Sequence, residues 1–204
     1  MNIYLSHKFL RLRFVVVITV SAIAISSFYF LFSACAAAAD SNRPSQWASP
    51  MTLAGVNNLY KINDGLYRSA QPTKEGMMNL ERLGIKTIIN LRAFHSDSDE
   101  LRGTELLNET LSIKTWHIED EDVIRVLRIL KKKDDGPFLI HCQHGADRTG
   151  VVSAMYRIVV QGWSKEEAVK EMVDGGYGFH PVWLNIIQYM KNVDVDKIKR
   201  EVAK

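Results

Sequence analysis

The stretch Pro137-Phe138-Leu139-Ile140-His141-Cys142-Gln143-His144-Gly145-Ala146-Asp147-Arg148-Thr149-Gly150 decides the fold. Phe138–Ile140 is a short apolar run bounded by a proline, the pattern of a buried strand. It runs into His141 and Cys142. Arg148, Thr149 and Gly150 follow, and then a long apolar stretch of helical character to Val160. Strand, tight loop and helix together ring an anion with backbone N–H groups at a helix N-terminus. The residues from Gln143 through His144, Gly145, Ala146 and Asp147 to Arg148 are the expected phosphate-binding loop. Gly145 allows a backbone conformation that a side chain would block. Arg148 offers a planar fork to two phosphate oxygens. A thiolate at Cys142 is favoured by the same amides, the helix dipole and the arginine, and would attack phosphorus in line. A phosphocysteine would result, for water to hydrolyse.

Outward from this loop, strand and helix patterns alternate. Lys61–Arg68 reads as two short strands about an Asn63-Asp64-Gly65 turn. Thr73 is placed to cap a helix to Leu83 that Gly84 ends. Ile85–Leu91 is β-branched and apolar, a central strand. The polar run His95–Glu100 is expected to lead into a helix reaching about Thr110, and Ile113–Ile118 to form a further strand. Val123, Ile124, Val126, Leu127 and Leu130 share a helical face. Ser164, with Glu167 at capping-box spacing, opens a helix to Asp174, and Pro181 opens another over Val182–Lys191. The expected architecture is α/β, with a mainly parallel central sheet of about four to five strands flanked by helices on both faces. Residues 58–192 form the domain, 40–57 a Ser-, Asn- and Pro-rich linker, and 193–204 a charged tail of helical character.

The chain has 204 residues, 47% of them hydrophobic and 24% charged, as in globular proteins. Its formal charge of +3 resides wholly in Lys8, Arg11 and Arg13. The remainder is balanced, so no basic field points to nucleic acid. Those three cations precede the apolar run Phe14–Phe32 and the small residues Ser33–Ala39, the pattern of a signal peptide over residues 1–39. Two alternatives stay open. The run of about 19 residues is long enough for an uncleaved anchor, and Phe32-Ser33-Ala34-Cys35 resembles a lipoprotein box. Each predicts export across the inner membrane, to a periplasmic or secreted location, with membrane association through residues 14–32 in the anchored case. Removal of the signal leaves Cys142 as the lone cysteine, a thiol with no disulfide partner.

His141-Cys142, the five residues before Arg148, and Thr149-Gly150 resemble the signature of the cysteine-dependent protein tyrosine phosphatase superfamily. The compact domain is similar to its dual-specificity branch, and Gly65–Pro72, Leu83–Arg92 and Gln161–Ser164 are similar to bacterial members. The resemblance implies Cys142 as nucleophile, Arg148 as phosphate clamp, His141 as a tuner of the thiolate and Thr149 as helper of the leaving thiolate. It also implies an aspartate general acid before the signature. Glu119, Asp120, Glu121 and Asp122 compete for that role with the alternative of capping a helix. Asp120, the first aspartate after the expected strand, is taken as the acid. His117 and His180 can line the cleft, and Arg68, Ser69 and Arg92 resemble positions near the site.

No metal or other cofactor is expected, because His141, Cys142 and His144 lack a fourth ligand and paired short spacings. The expected substrate is a phosphorylated protein or a small phosphomonoester. A phosphatase of lipid, inositol or sugar phosphates is the alternative, disfavoured by a loop without lysine. A non-catalytic phosphate-binding module is a second alternative, against which stand Cys142 and Arg148.

Overall fold

The computed structural model describes residues 43–204; the expected signal segment and the start of the expected linker lie outside them. Six strands form one sheet: β1 (Ser49–Pro50), β2 (Tyr60–Asn63), β3 (Leu66–Ser69), β4 (Thr87–Arg92), β5 (Leu107–Ile113) and β6 (Phe138–His141), in the order β1-β2-β3-β6-β4-β5. β6 is central and parallel to β3 and β4, and β5 is parallel to β4. β1 and β2 extend the sheet as antiparallel strands. The helices are α1 (Lys74–Arg82), α2 (Asp120–Leu130), α3 (Asp147–Val159), α4 (Lys165–Asp174), α5 (Leu184–Asn192) and α6 (Val195–Ala203).

The central strands are buried almost throughout because both faces are covered, and their apolar runs give way to polar residues at the carboxyl ends. Alternation sends Leu139, Ile88 and Tyr67 to one side, where Met77 and Leu80 of α1 join them. It sends Phe138, Ile140, Ile89 and Leu66 to the other, against Val123 and Leu127 of α2, Val151 and Met155 of α3, Met172 of α4 and Ile198 of α6. Thr73 caps α1 through its hydroxyl, which accepts from Gly76 N–H at 3.1 Å. Ser164 caps α4, accepting from Glu167 N–H at 3.2 Å while the Glu167 carboxylate takes Ser164 N–H at 2.9 Å.

Three expectations change. The stretch before β5 is a succession of turns, tied by Leu101 N–H to Asp97 O at 2.9 Å, and the strand begins at Leu107. β5 is an edge strand with only Leu111 and Ile113 buried, so its sequence carries too few apolar residues to announce itself. Residues 48–57 are part of the domain: Ala48 and Val56 are buried, and Ser49–Pro50 adds the sixth strand. The charged tail is helical as expected, but as α6, capped by the Asp194 carboxylate on Lys197 N–H at 2.9 Å, it buries Ile198 and Val202 in the core and so extends the domain past residue 192. No helix among the described residues is long and apolar enough to cross a membrane.

Candidate active site

β6 brings His141 level with Ser69 of β3 and Asn90 of β4. Cys142 therefore leaves the carboxyl end of the central strand, flanked on both sides. Five residues later α3 begins at Asp147, so Arg148 and Thr149 lie in its first turn, ahead of the apolar stretch. The dipole of this 13-residue helix points its positive end at the loop. Cys142 is 2% exposed, at the floor of the loop.

Three consecutive loop carbonyls are held from outside. Gln143 O accepts from Gln71 N–H at 3.2 Å, His144 O from the Asn58 amide at 2.8 Å, and Gly145 O from the Arg68 guanidinium at 2.7 Å. In a trans peptide the next N–H points opposite its carbonyl. Pinning these oxygens outward therefore turns the N–H groups of His144, Gly145 and Ala146 toward the loop centre. Gly145 sits at φ +69°, where an added Cβ would lie 2.5 Å from both Ala70 N and the Ser69 carbonyl carbon. The close approach of the β3 backbone is what requires glycine there.

Arg68 is buried beneath the loop, its guanidinium 3.6 Å from the Tyr177 ring centroid. Burial pushes the Arg68 pKa down, opposed by Tyr177, Glu171 and Cys142. Tyr177 donates its hydroxyl to Glu171 at 2.9 Å, and Glu171 is gripped by Arg157 through two bonds of 2.7 and 2.8 Å. On the outer side Asp147 accepts from His180 twice, from its N–H at 2.9 Å and its Nδ1 at 2.8 Å. His180 also meets the His144 ring edge-on at 5.4 Å. The loop is thus braced from β3, from the turn after α4 and from the segment before α5.

Among the described residues, four buried side-chain polar atoms have no hydrogen-bond partner: Arg68 Nε, His95 Nε2, Arg148 Nε and Thr149 Oγ1. Arg148 and Thr149 stand in the loop and the first turn of α3, so two of the four lie where an anion would be bound. Such a set of donors can stabilise the equatorial oxygens of a phosphoryl group in transit, which is where charge sits in the transition state.

His141 is fully buried, and its Nε2 lies 2.8 Å from Asp97 Oδ2. Asp97 also accepts from the Gln71 amide at 3.0 Å, and Gln71 in turn accepts from Arg92 at 2.9 Å. Burial pushes Asp97 up, but the bond and charge of His141, the Gln71 amide and His95 outweigh it and hold the carboxyl below its ordinary range. His95, Asp97 and Glu100 each bring one ligand-type atom within 4.8 Å of the others. Both Asp97 oxygens are committed to His141 and Gln71, so the cluster is accounted for as a hydrogen-bonded network. The sequence concealed Asp97, which lies in the polar run read as the approach to a helix. Its signal is retrospective: the run follows β4, next to β6, and must turn back over the strand ends.

Cys142, His141, Arg148, Thr149 and the loop residues Gln143 to Asp147 come together as expected. Asp120 is placed elsewhere. Its carboxylate takes Lys197 at 2.7 Å and the Tyr189 hydroxyl at 3.3 Å. It lines a pocket with Asn185, Gln188 and Asp194 that shares no residue with the phosphate loop. Burial and the adjacent Asp120 push the Tyr189 hydroxyl well above its ordinary value. The acidic run instead serves α2, where the Asp122 carboxylate takes Glu119 N–H at 3.2 Å. His117 pairs with Glu119 at 2.6 Å, both exposed, in the turn after β5.

A buried cysteine on an amide-lined loop at a helix N-terminus, with an arginine six residues on, defines a cysteine-dependent phosphatase site. A profile of the tyrosine phosphatase family matches residues 55–174. The dual specificity protein phosphatase TpbA of Pseudomonas aeruginosa is 39% identical over 149 residues, covering 72% of this chain and 67% of that protein. A crystal structure of a Cys-to-Ser variant of TpbA in complex with pTyr superposes with a TM-score of 0.72 at 35% identity, covering 80% of this chain and 99% of that one. The inositol diphosphatase DSP3 of Arabidopsis thaliana is 29% identical over 129 residues, covering 58% of this chain and 62% of that protein. The chain belongs to the tyrosine phosphatase family and is a cysteine-dependent phosphatase of the protein-tyrosine and dual-specificity type.

Proposed function

We propose that the chain removes phosphate from phosphotyrosine, and secondarily from phosphoserine and phosphothreonine, on proteins outside the inner membrane. The observation that carries the substrate class is the charge of the loop. Between Cys142 and Arg148 the side chains are Gln143, His144, Ala146 and Asp147, without a lysine and with one carboxylate. A polyanion would find no loop lysine to meet its further phosphates, whereas a singly phosphorylated side chain needs only the amides and Arg148. The pTyr bound to the related TpbA supports the same class. Cys142 attacks phosphorus in line as the bond to the ester oxygen breaks and the protonated alcohol leaves. Arg148 and the loop amides hold the phosphoryl oxygens, and Thr149 assists the thiolate as water takes the phosphoryl group and the S–P bond breaks. Export is supported by Lys8, Arg11 and Arg13 ahead of Phe14–Phe32 and the alanine run to Ala39.

The experiment is phosphate release by the purified protein from phosphotyrosine, phosphoserine and phosphothreonine peptides, a phosphoinositide, an inositol diphosphate and phosphatidylglycerophosphate. Highest kcat/KM on phosphotyrosine peptides is expected. Preference for the inositol diphosphate or either lipid would replace this reading with the polyanion or membrane one. A fusion of residues 1–39 to a reporter active only outside the cytoplasm tests export.

A further inference from the structure

We propose that Asp97 is a positioning residue of the reaction, acting on Cys142 through His141. The inference rests on the phosphatase reading only for its kinetic consequence. Asp97, His141 and Cys142 are 0%, 0% and 2% exposed, a continuous buried file from the loop after β4 to the nucleophile. The two ring nitrogens of His141 both face oxygen acceptors: Nε2 meets Asp97 Oδ2 at 2.8 Å, and Nδ1 lies 3.4 Å from the carbonyl oxygen of Cys142. Asp97 supplies the anionic acceptor that pins Nε2, and with it the direction in which Nδ1 faces the Cys142 peptide.

The polar edge of the ring is then held against the Cys142 peptide, where it supports negative charge on the sulfur. The ring cannot rotate without breaking the Asp97 bond. Ser69 of β3 and Asn90 of β4 flank His141 in the sheet and carry no charge. The other titratable groups around the pair are His95, 3.4 Å from Asp97 Oδ1, and Glu100, 3.9 Å from His95. Arg92 reaches Asp97 through Gln71, and the Arg68 guanidinium interacts electrostatically with Cys142 from beneath.

Asp97→Asn keeps an acceptor for His141 while deleting the charge. The primary readout is the pH dependence of Cys142 alkylation by iodoacetamide, which needs no phosphorylated substrate. The profile is expected to move to higher pH by about one unit, lowering the rate near pH 6 about tenfold. The acidic limb of kcat/KM for an aryl phosphate is expected to move with it. Gln71→Met, at a half-buried position, should give the same shift at smaller amplitude and remains informative if Asp97→Asn does not fold. A wild-type alkylation profile in a folded variant, or an equal loss at every pH, would overturn the proposal. A shifted profile in a protein that releases no phosphate from any ester would overturn the phosphatase reading and leave the role of Asp97 standing.

Discussion

Replacing Glu171 with alanine should cost this domain more stability than most single substitutions. Glu171 accepts from Arg157 Nε and Nη2, from the Tyr177 hydroxyl and from the backbone N–H of Ala48 at 2.7 Å. Arg157 is 3% exposed and Ala48 1%, so none of these donors can turn to water in place. Breaking a buried ion pair by removing one partner costs about 3–5 kcal/mol, because the other charge stays buried. Taking about 4 kcal/mol, and about 2–4 °C per kcal/mol for a domain of this size, the midpoint should fall by about 8–16 °C. Lys170→Ala on the same helix, which removes an exposed pair with Asp174, should cost about 0.5 kcal/mol.

Thermal unfolding followed by circular dichroism at pH 7 provides the comparison. The sign of the pH dependence is also set. Burial pushes the Glu171 carboxyl up, but Arg157, the Ala48 N–H and Tyr177 outweigh it and hold it below its ordinary range. A depressed folded value gives stability that is present above the unfolded pKa of about 4.3 and lost as pH falls through the folded value. The gap between wild type and Glu171→Ala should therefore narrow below about pH 4. A loss under about 1 kcal/mol at pH 7, or a gap that widens on acidification, would show that the buried network does not hold the domain together.

Gly145→Ala should lower kcat/KM on an aryl phosphate about 10²-fold, since its Cβ must displace the backbone of Ser69 and Ala70 and with it the loop amides. Asp120→Asn should cost under about 1 kcal/mol in denaturant melts and leave turnover within about twofold for aryl and alkyl esters alike. A loss confined to the alkyl esters would make Asp120 the acid after all. His180→Ala removes the ring bond to Asp147 but keeps the backbone one, so a stability loss of about 1 kcal/mol is expected. Weaker inhibition by phosphate should accompany it, read from steady-state kinetics.

The phosphate loop was legible in the sequence because its chemistry is local: strand, Cys142, Gly145, Arg148 and helix are contiguous. The central strands were legible for a related reason, since burial on both faces leaves unbroken apolar runs such as Ile88–Ile89 and Phe138–Ile140. What supports the loop was legible only in part. Arg68 and His180 were singled out in the sequence and do meet the loop, but Asn58 and Gln71 reach it from as far as 86 residues away in the chain, and nothing in their local pattern sets them apart from surface polar residues. Asp97 was hidden by its setting among serines and acids that read as an exposed turn. Asp120 misled because an aspartate at a helix start serves capping, dipole and ion pairing as readily as proton transfer, and side-chain direction is not written in spacing. β5 was missed because an edge strand needs few apolar residues.

In this site Cys142 is the group that carries the phosphoryl during turnover. The most direct test is acid quench of the purified protein a few turnovers after mixing with an aryl phosphate, followed by mass spectrometry of the peptide containing Cys142. A single phosphoryl group on Cys142 is expected in the wild-type protein, and neither adduct nor phosphate release in Cys142→Ser. Phosphate release by Cys142→Ser at the wild-type rate, or turnover without a phosphorylated Cys142, would contradict it.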